Sequence, residues 1–411
     1  MGCGLAASHR EYMMRILLLT AEYLPQPGGV GDYTAKLAEA LTALDCQVCV
    51  LTAGEGAEQS EPWLVWRRVR GWGRKLHQDV RNAAKQFEAD IVHIQYQTGA
   101  YEMKPAVNLL PAALSVPSVV TLHDLRMPYL APKVAPLRRY VTRLLIENAH
   151  AVVVTNAEDE SRLAGDAPSS NPDIYTLTQP LEPPAHLIPI GANIEVAPLA
   201  DRQQLRQQLG ANSETLLLGY FGLLNSTKGV HTIVESLQYL PATTRLVIIG
   251  GGTGTPEDET YAEQLRATIS RLGLDQRIHW TGYLSASEVS RTMQALDCAA
   301  LPFSDGASYR RGSLLAMLAH GVPTITTPPH VPIDPSLRHE RDVLLVEPDD
   351  AINLALAVEQ IAANPELRQQ LSQAGQRIAC SFRWETIAQL HTTLYQQLLD
   401  AQQNKQEQID F

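Results

Sequence analysis

Residues 301–327, LPFSDGASYRRGSLLAMLAHGVPTITT, carry the side chains best suited to chemistry on an anion. The spacing predicts a strand end, a polar loop holding Asp305, Ser308, Arg310 and Arg311, a helix over 313–320, a Gly-Val-Pro break and a strand over 324–327. A helix N-terminus offers N–H groups without intrahelical acceptors, and in open α/β sheets ligands bind where strand ends meet helix starts. Two arginines before such a helix, with the N–H groups of Gly312 and Ser313, suit a phosphate; the plain alternative is a solvated surface loop. A second such place is the run LPQPGGVGDY, between an apolar run over 15–23 and helical spacing over 33–44. There Gly28, Gly29 and Gly31 allow close backbone approach and Asp32 is suited to cap the helix. The pattern is not G-x-G-x-x-G, so it points to a phosphate or a sugar and not specifically to a dinucleotide.

These loops need a frame, and the hydrophobic periodicity supplies one. Strand-length apolar runs over 15–23, 48–52, 65–69, 91–95, 119–123, 151–155 and 187–189 alternate with helical patterns over 33–44, 76–87 and 137–148. The alternation then restarts, with strands over 216–221, 245–250, 278–281, 298–302, 324–327 and 343–346 and helices over 230–240, 261–272, 286–296, 313–320 and 351–362. Such β-then-α order predicts parallel sheets covered on both faces. The fold expected is α/β with two doubly wound, Rossmann-like halves, residues 13–197 and 198–384, and a cleft between them as the default site. A last amphipathic helix over 385–400, with no strand after it, is expected to cross back to the first half, and residues from about 400 to fray.

Composition narrows the function. A chain of 411 residues with 45% hydrophobic and 19% charged residues is an ordinary globular protein, and its net charge of −11 excludes a general nucleic-acid binder. Cys46 and Cys49 spell C-x-x-C inside a strand pattern, which turns them to opposite faces and argues against a redox or metal pair. The acidic triplets at 158–160 and 257–259 read as solvated faces, so no metal is expected. No run of about twenty apolar residues exists. Residues 1–12 resemble neither a signal peptide nor a myristoylation signal and are expected to be a leader. Two basic stretches, VWRRVRGWGRK (65–75) and KVAPLRRYVTRLL (133–145), mix Arg and Lys with Trp, Tyr and Leu, as surfaces do that rest on anionic membranes. The expectation is a cytoplasmic protein with peripheral contact at the inner membrane face.

In order and spacing, several segments resemble the retaining GT-B glycosyltransferases: PGGVGDYTAKLAEAL, TLHD (121–124), IPIGANI (188–194), YFGLLNSTKGVHTIVESL, RLVIIGGG, HWTGYLS, LPFSDG, LLAMLAHGVP and FRWETIAQLHTTLYQQLL. The resemblance covers nearly the whole chain from Arg15 to Leu399. It implies a hexose-type sugar transferred from a nucleoside-diphosphate sugar to a saccharide or lipid-linked acceptor, without a metal or other cofactor. It further implies that Lys228 holds the donor diphosphate; taken with the loop readings above, the expected donor-binding positions are Gly28, Gly29, Gly31, Lys228, Gly250, Gly251, Asp305, Ser308, Arg310, Arg311, Gly312 and Ser313. His123, at the end of VVTLH, matches the family histidine that faces the sugar, with Asp124 either orienting its ring or capping a turn. The chain departs from the pattern at three places. Leu223 stands where the family has an Arg beside the lysine, and Ser308 and Ala316 replace its two Glu residues. Arg310 and Arg311 are then the expected compensation. A non-catalytic sugar- or nucleotide-binding partner and a sugar-nucleotide epimerase are the competing readings.

Overall fold

The computed structural model describes residues 13–25, 28–128, 135–167, 169, 171–198, 201–252 and 256–409. Two compact units divide the chain, one of Met1–Pro189 with Trp384–Phe411 and one of Ile190–Arg383. The division thus falls at 189/190 and not at 197/198.

The first unit contains β1 (Arg15–Thr20), α1 (Gly29–Thr42), β2 (Gln47–Leu51), β3 (Leu64–Trp66), α2 (Leu76–Phe87), β4 (Ile91–Tyr96), β5 (Ser118–Leu122), α3 (Ala135–Asn148), β6 (Ala151–Val154), α4 (Ala157–Leu163) and β7 (His186–Leu187). Its seven strands are all parallel, in the order β3-β2-β1-β4-β5-β6-β7. Every residue of β4 and β5 is buried, the polar His93, Gln95, Ser118 and Thr121 included, as central strands of a parallel sheet covered on both faces require.

The second unit contains α5 (Arg202–Gln208), β8 (Leu216–Gly222), α6 (Val230–Ser236), β9 (Thr244–Gly250), α7 (Pro256–Arg271), β10 (Ile278–Trp280), α8 (Ala286–Ala295), β11 (Cys298–Leu301), α9 (Gly312–Ala319), β12 (Thr324–Thr326), β13 (Leu344–Leu345), α10 (Ala351–Ala363) and α11 (Pro365–Cys380). The strand order is β10-β9-β8-β11-β12-β13, again all parallel. The order reverses between β8 and β11, which makes the loops after these two strands the walls of a topological switch point. The final helix, α12 (Trp384–Ile409), belongs to the first unit and packs on α1.

Several local readings change. Helix α1 begins at Gly29, inside the glycine run, so Asp32 lies in its first turn and does not cap it. Helix α12 continues to Ile409, where fraying from about 400 was expected. Helix α4 was hidden in the acidic triplet 158–160: Asn156 caps it by accepting the Asp159 N–H, and Asp159 is buried against Arg162 instead of facing water. The stretch 65–75 does not present its tryptophans to water, as the expected membrane face would. Trp66 and Trp72 are buried, Arg68 pairs with Glu58 at 2.8 Å and Arg70 donates to Asp79 at 2.8 Å. Cys46 precedes β2 and Cys49 lies within it; both are buried free thiols whose pKa burial raises, to about 11 and about 12. Residues 1–12, expected to be a leader, lie outside the described residues, as do Lys133 and Val134 of the second basic stretch. None of the described helices is long and apolar enough to cross a membrane.

Candidate active site

The loop after β8 is fastened from several sides. The Tyr220 hydroxyl donates to the Leu223 carbonyl at 2.6 Å, and the Leu224 N–H donates to the Gly252 carbonyl at 2.9 Å. One 3-10 turn, Ser226–Lys228, leads to Gly229 at φ 65, where a Cβ would stand 1.9 Å from the Pro302 carbonyl oxygen. Only glycine fits both the left-handed backbone and that approach. The Ser304 N–H then donates to the Thr227 carbonyl at 3.1 Å, tying this loop to the end of β11.

Phe303, fully buried just beyond β11, is the shelf on which the cations meet. The Lys228 ammonium stands 5.5 Å from its ring centroid and the Arg311 guanidinium 4.2 Å. Arg311 is only 13% exposed at its side chain and pairs with Asp305, while its Nε is buried without a partner. Burial chiefly, and then the neighbouring Arg311, push the Lys228 pKa down to about 8, with Asp305 acting in the opposite sense. Two cations thus share one carboxylate at the mouth of α9. Gly312 and Ser313 open that helix, and the residue before them, Arg311, makes no side-chain cap, so their N–H groups have no intrahelical acceptor. Side-chain charge and helix N–H groups thus converge at one place, an arrangement chemically suited to an anion.

The other expected donor positions have different parts. Ser308 shapes the turn, its Oγ accepting the Arg310 N–H at 3.3 Å and its carbonyl the Arg311 N–H at 3.1 Å. Arg310 is exposed, so of the two adjacent arginines only Arg311 stands on Phe303 with Lys228. Gly250 and Gly251 hold φ of 86 and 74, and their N–H groups are engaged by Thr281 Oγ1 at 3.1 Å and the Gly222 carbonyl at 3.0 Å. They join loops at the sheet edge and offer a ligand shape more than N–H donors. Leu223 is 53% exposed, whereas Ala316 is fully buried.

In the first unit, His123 directly follows β5. Its N–H donates to the Tyr96 carbonyl at 2.9 Å, its Nε2 lies 3.0 Å from Gln95 Oε1, and the Tyr33 ring meets it edge-on at 4.7 Å. Asp124 accepts the Arg126 N–H at 3.1 Å, a contact of the turn kind considered for it. The glycines of α1 are occupied differently from expectation. A Cβ at Gly31 would stand 3.0 Å from the Glu22 carbonyl oxygen, and one at Gly28 would overlap the Glu22 carboxylate at 2.3 Å. Only Gly29 is open. Glu22 thus fills the helix start itself: burial raises its pKa, the Val30 N–H lowers it and Asp32 raises it. A phosphate at Gly29 would meet this carboxylate, which weakens the case for Gly29 as a phosphate donor.

Sequence reasoning missed Phe303, Glu22, Gln95 and Tyr33. A phenylalanine beside a strand end reads as core and a glutamine inside a buried strand as filler. Tyr283, at 97% exposure beside Gly282, was also missed, and Gly282 bridges to Gly250. The place of Tyr283 just after a strand end, next to a glycine, was the signal available in the sequence.

Residues 201–378 match the Glycosyl transferases group 1 family and residues 28–172 the Glycosyl transferase 4-like domain. The chain has the paired domains of a GT-B glycosyltransferase. It is 27% identical over 304 residues to the D-inositol 3-phosphate glycosyltransferase of Corynebacterium diphtheriae, covering 70% of this chain and 66% of that protein. It is 26% identical over 214 residues to the mannosylfructose-phosphate synthase of Agrobacterium fabrum, covering 50% and 46%. The chain therefore spans less than two thirds of these two relatives. The alpha-maltose-1-phosphate synthase of Mycolicibacterium smegmatis is 23% identical over 408 residues, 94% of this chain and 100% of that protein. Among solved structures, sucrose-phosphate synthase from Thermosynechococcus elongatus superposes with a TM-score of 0.71 at 22% identity, covering 94% of this chain and 100% of that one. Anabaena HepE in complex with UDP gives 0.70 at 19%, with the same coverage. At these identities the two structures establish the two-domain GT-B fold and nothing finer. The Glycosyl transferases group 1 match contains Lys228, Phe303 and Arg311, and the 4-like match contains Gly28 and His123.

Proposed function

We propose that this GT-B chain transfers a hexose-type sugar from a nucleoside-diphosphate sugar to a saccharide or lipid-linked acceptor, with retention and without a metal. The observation that carries the reading is the pairing of Lys228 and Arg311 on Phe303 beside the uncapped start of α9. In the transfer, the bond from the sugar C1 to the diphosphate oxygen breaks and a bond from C1 to an acceptor hydroxyl oxygen forms on the same face. The hydroxyl proton leaves to a departing phosphate oxygen or to solvent, and nothing is oxidised or reduced. Charge develops on the leaving diphosphate, which is where preorganised cations and N–H groups lower the barrier. Lys228, Arg311, Gly312 and Ser313 supply these, and His123, steadied by Gln95 and Tyr33, is the residue assigned to the sugar. The HepE structure with UDP supports a nucleoside diphosphate as the leaving group, and relatives named for phosphorylated products keep a phosphate-bearing acceptor in view.

A second reading, a binding partner without turnover, is favoured by Leu223, Ser308 and Ala316 at positions where the resemblance expects charge. The test is release of free nucleoside diphosphate from a panel of UDP-, GDP- and ADP-sugars, with cell extract as acceptor. Acceptor-dependent release supports transfer. Ligand-induced thermal stabilisation without release assigns the second role.

A further inference from the structure

The geometry points to the outward face of α3 as a docking surface for an anionic lipid bilayer, with a headgroup phosphate held between Arg139 and Arg143. A cavity of about 300 Å³ lies there, lined by Arg139, Tyr140 and Arg143 of α3 and by residues 175–178. Arg139 donates to the Thr176 carbonyl at 2.7 Å, and its guanidinium stands 5.5 Å from the Tyr175 ring centroid, which fixes the group at the cavity wall. Among the described residues no carboxylate pairs with Arg139. Arg143 pairs with Glu147 at 2.6 Å, but with 61% and 46% of the two side chains exposed this pair is screened and exchangeable. Burial raises the pKa of the Tyr175 phenol; Arg139 and Arg143 lower it and Glu147 raises it, so both guanidinium groups stand close to this wall of the cavity.

Two further features select a bilayer over a soluble anion. Leu137 and Tyr140, one turn apart and flanking Arg139, are 43% and 56% exposed, an apolar and an amphipathic side chain suited to headgroup depth. The surface is also complementary in charge where the chain as a whole is not, since the protein carries −11. Arg138 takes no part. It pairs with Asp173 at 2.8 Å and donates to the Pro128 carbonyl at 2.8 Å, holding the helix to the loop that follows His123 and Asp124. The inference deepens the lipid-linked alternative of the function proposed above, because it places the acceptor unit on the membrane. It is nevertheless read without turnover, so it stands or falls separately.

The experiment is co-sedimentation of the full chain with phosphatidylcholine vesicles, with and without about one third phosphatidylglycerol, at about 0.1 M salt. Binding is expected to the anionic vesicles only and to weaken as salt rises. Arg139→Ala with Arg143→Ala should reduce it about thirtyfold, and Leu137→Ser with Tyr140→Ser should also lower it. Arg68→Ala, in the other basic stretch, should leave it unchanged. Unaltered melting curves establish that the variants are folded. Absence of binding, equal binding to neutral vesicles, or indifference to the α3 substitutions overturns the assignment.

Discussion

Tyr33 of α1 places its hydroxyl 3.2 Å from Nε2 of His391, a fully buried histidine of α12. The same tyrosine ring meets His123 edge-on, and Trp384 packs at 5.2 Å on it. One side chain therefore joins the terminal helix to the histidine assigned to the sugar. Tyr33→Phe keeps the ring and removes the hydroxyl. Nδ1 of His391 is already without a partner, so this variant leaves both ring nitrogens unpaired. The expected cost is about 1–3 kcal/mol in urea unfolding. Turnover should fall less than in His123→Ala. Turnover falling without loss of stability would reverse the order of these roles.

Acid should loosen the same cluster. Burial holds the pKa of His391 down at about 3 and that of His93 well below the usual value, each lowered further by His123 and, for His93, by His391. His93 is bracketed by the Tyr395 hydroxyl at 2.6 Å and Thr121 Oγ1 at 2.7 Å. The folded-state pKa values lie below the unfolded one, so the unfolded chain takes up protons first as pH falls through 6.5. Stability is present above that pH and is lost below it, by about 1.4 kcal/mol per pH unit for each histidine. Urea midpoints between pH 7 and 5 measure the slope. His391→Gln should roughly halve it, and an unchanged slope would assign the acid sensitivity to other groups.

The frame was readable because its signals are long and redundant. Strand-length runs such as RILLLT and IVHIQY, the second with His93 and Gln95 inside it, read as buried parallel strands through their alternation with helices, which set both sheets. The switch-point loops were readable as chemistry because arginines before a helix are unusual. What failed depends on contacts that no local pattern carries. Glu22 closing the start of α1 is a packing result across a loop, and so is the choice of Arg311 over Arg310 for the face of Phe303. The two basic stretches looked alike in composition, yet in one the tryptophans are core and Arg68 and Arg70 are tied to Glu58 and Asp79, whereas α3 leaves Tyr140 and Leu137 in water.

Gly229 provides a test of the loop that does not touch charge. Gly229→Ala puts a methyl 1.9 Å from the Pro302 carbonyl oxygen at φ 65, so the Ser226–Lys228 turn must leave the end of β11. The expected loss is about 2–4 kcal/mol of stability together with the thermal stabilisation given by nucleoside diphosphates. Retained ligand stabilisation in a destabilised variant would separate the lysine from the tie that positions it.

Lys228 should make donor binding pH-dependent. Its pKa lies at about 8 against an ordinary 10.5, so between these values the unfolded chain holds more protons and stability rises with pH. Anion binding runs the other way, because the ammonium is lost as pH rises through 8. Nucleoside-diphosphate affinity measured calorimetrically from pH 7 to 9 should fall, with proton uptake on binding at the upper end. Lys228→Met should bind weakly and without that step. A step that survives in Lys228→Met belongs to another group.

The adjacent arginines give the sharpest test of how the site makes up for Leu223. Arg311 shares the Phe303 ring with Lys228 and is held at the mouth of α9 by Asp305, whereas Arg310 is exposed. If charge on the leaving diphosphate is met from both switch-point loops, Arg311→Ala removes one of two cations at the place where charge develops. The expected loss is about 2–4 kcal/mol in the transition state, roughly thirtyfold to a thousandfold in kcat/KM. Arg310→Ala, lacking the shelf, should stay within about threefold. Asp305→Asn should act in the opposite direction on binding, since it removes the carboxylate that offsets the cations, while leaving Arg311 a hydrogen-bond acceptor to hold it in place. Equal, small effects at 310 and 311 would mean that the pair does not replace the missing arginine, and that Leu223, Ser308 and Ala316 mark a site that binds without transferring.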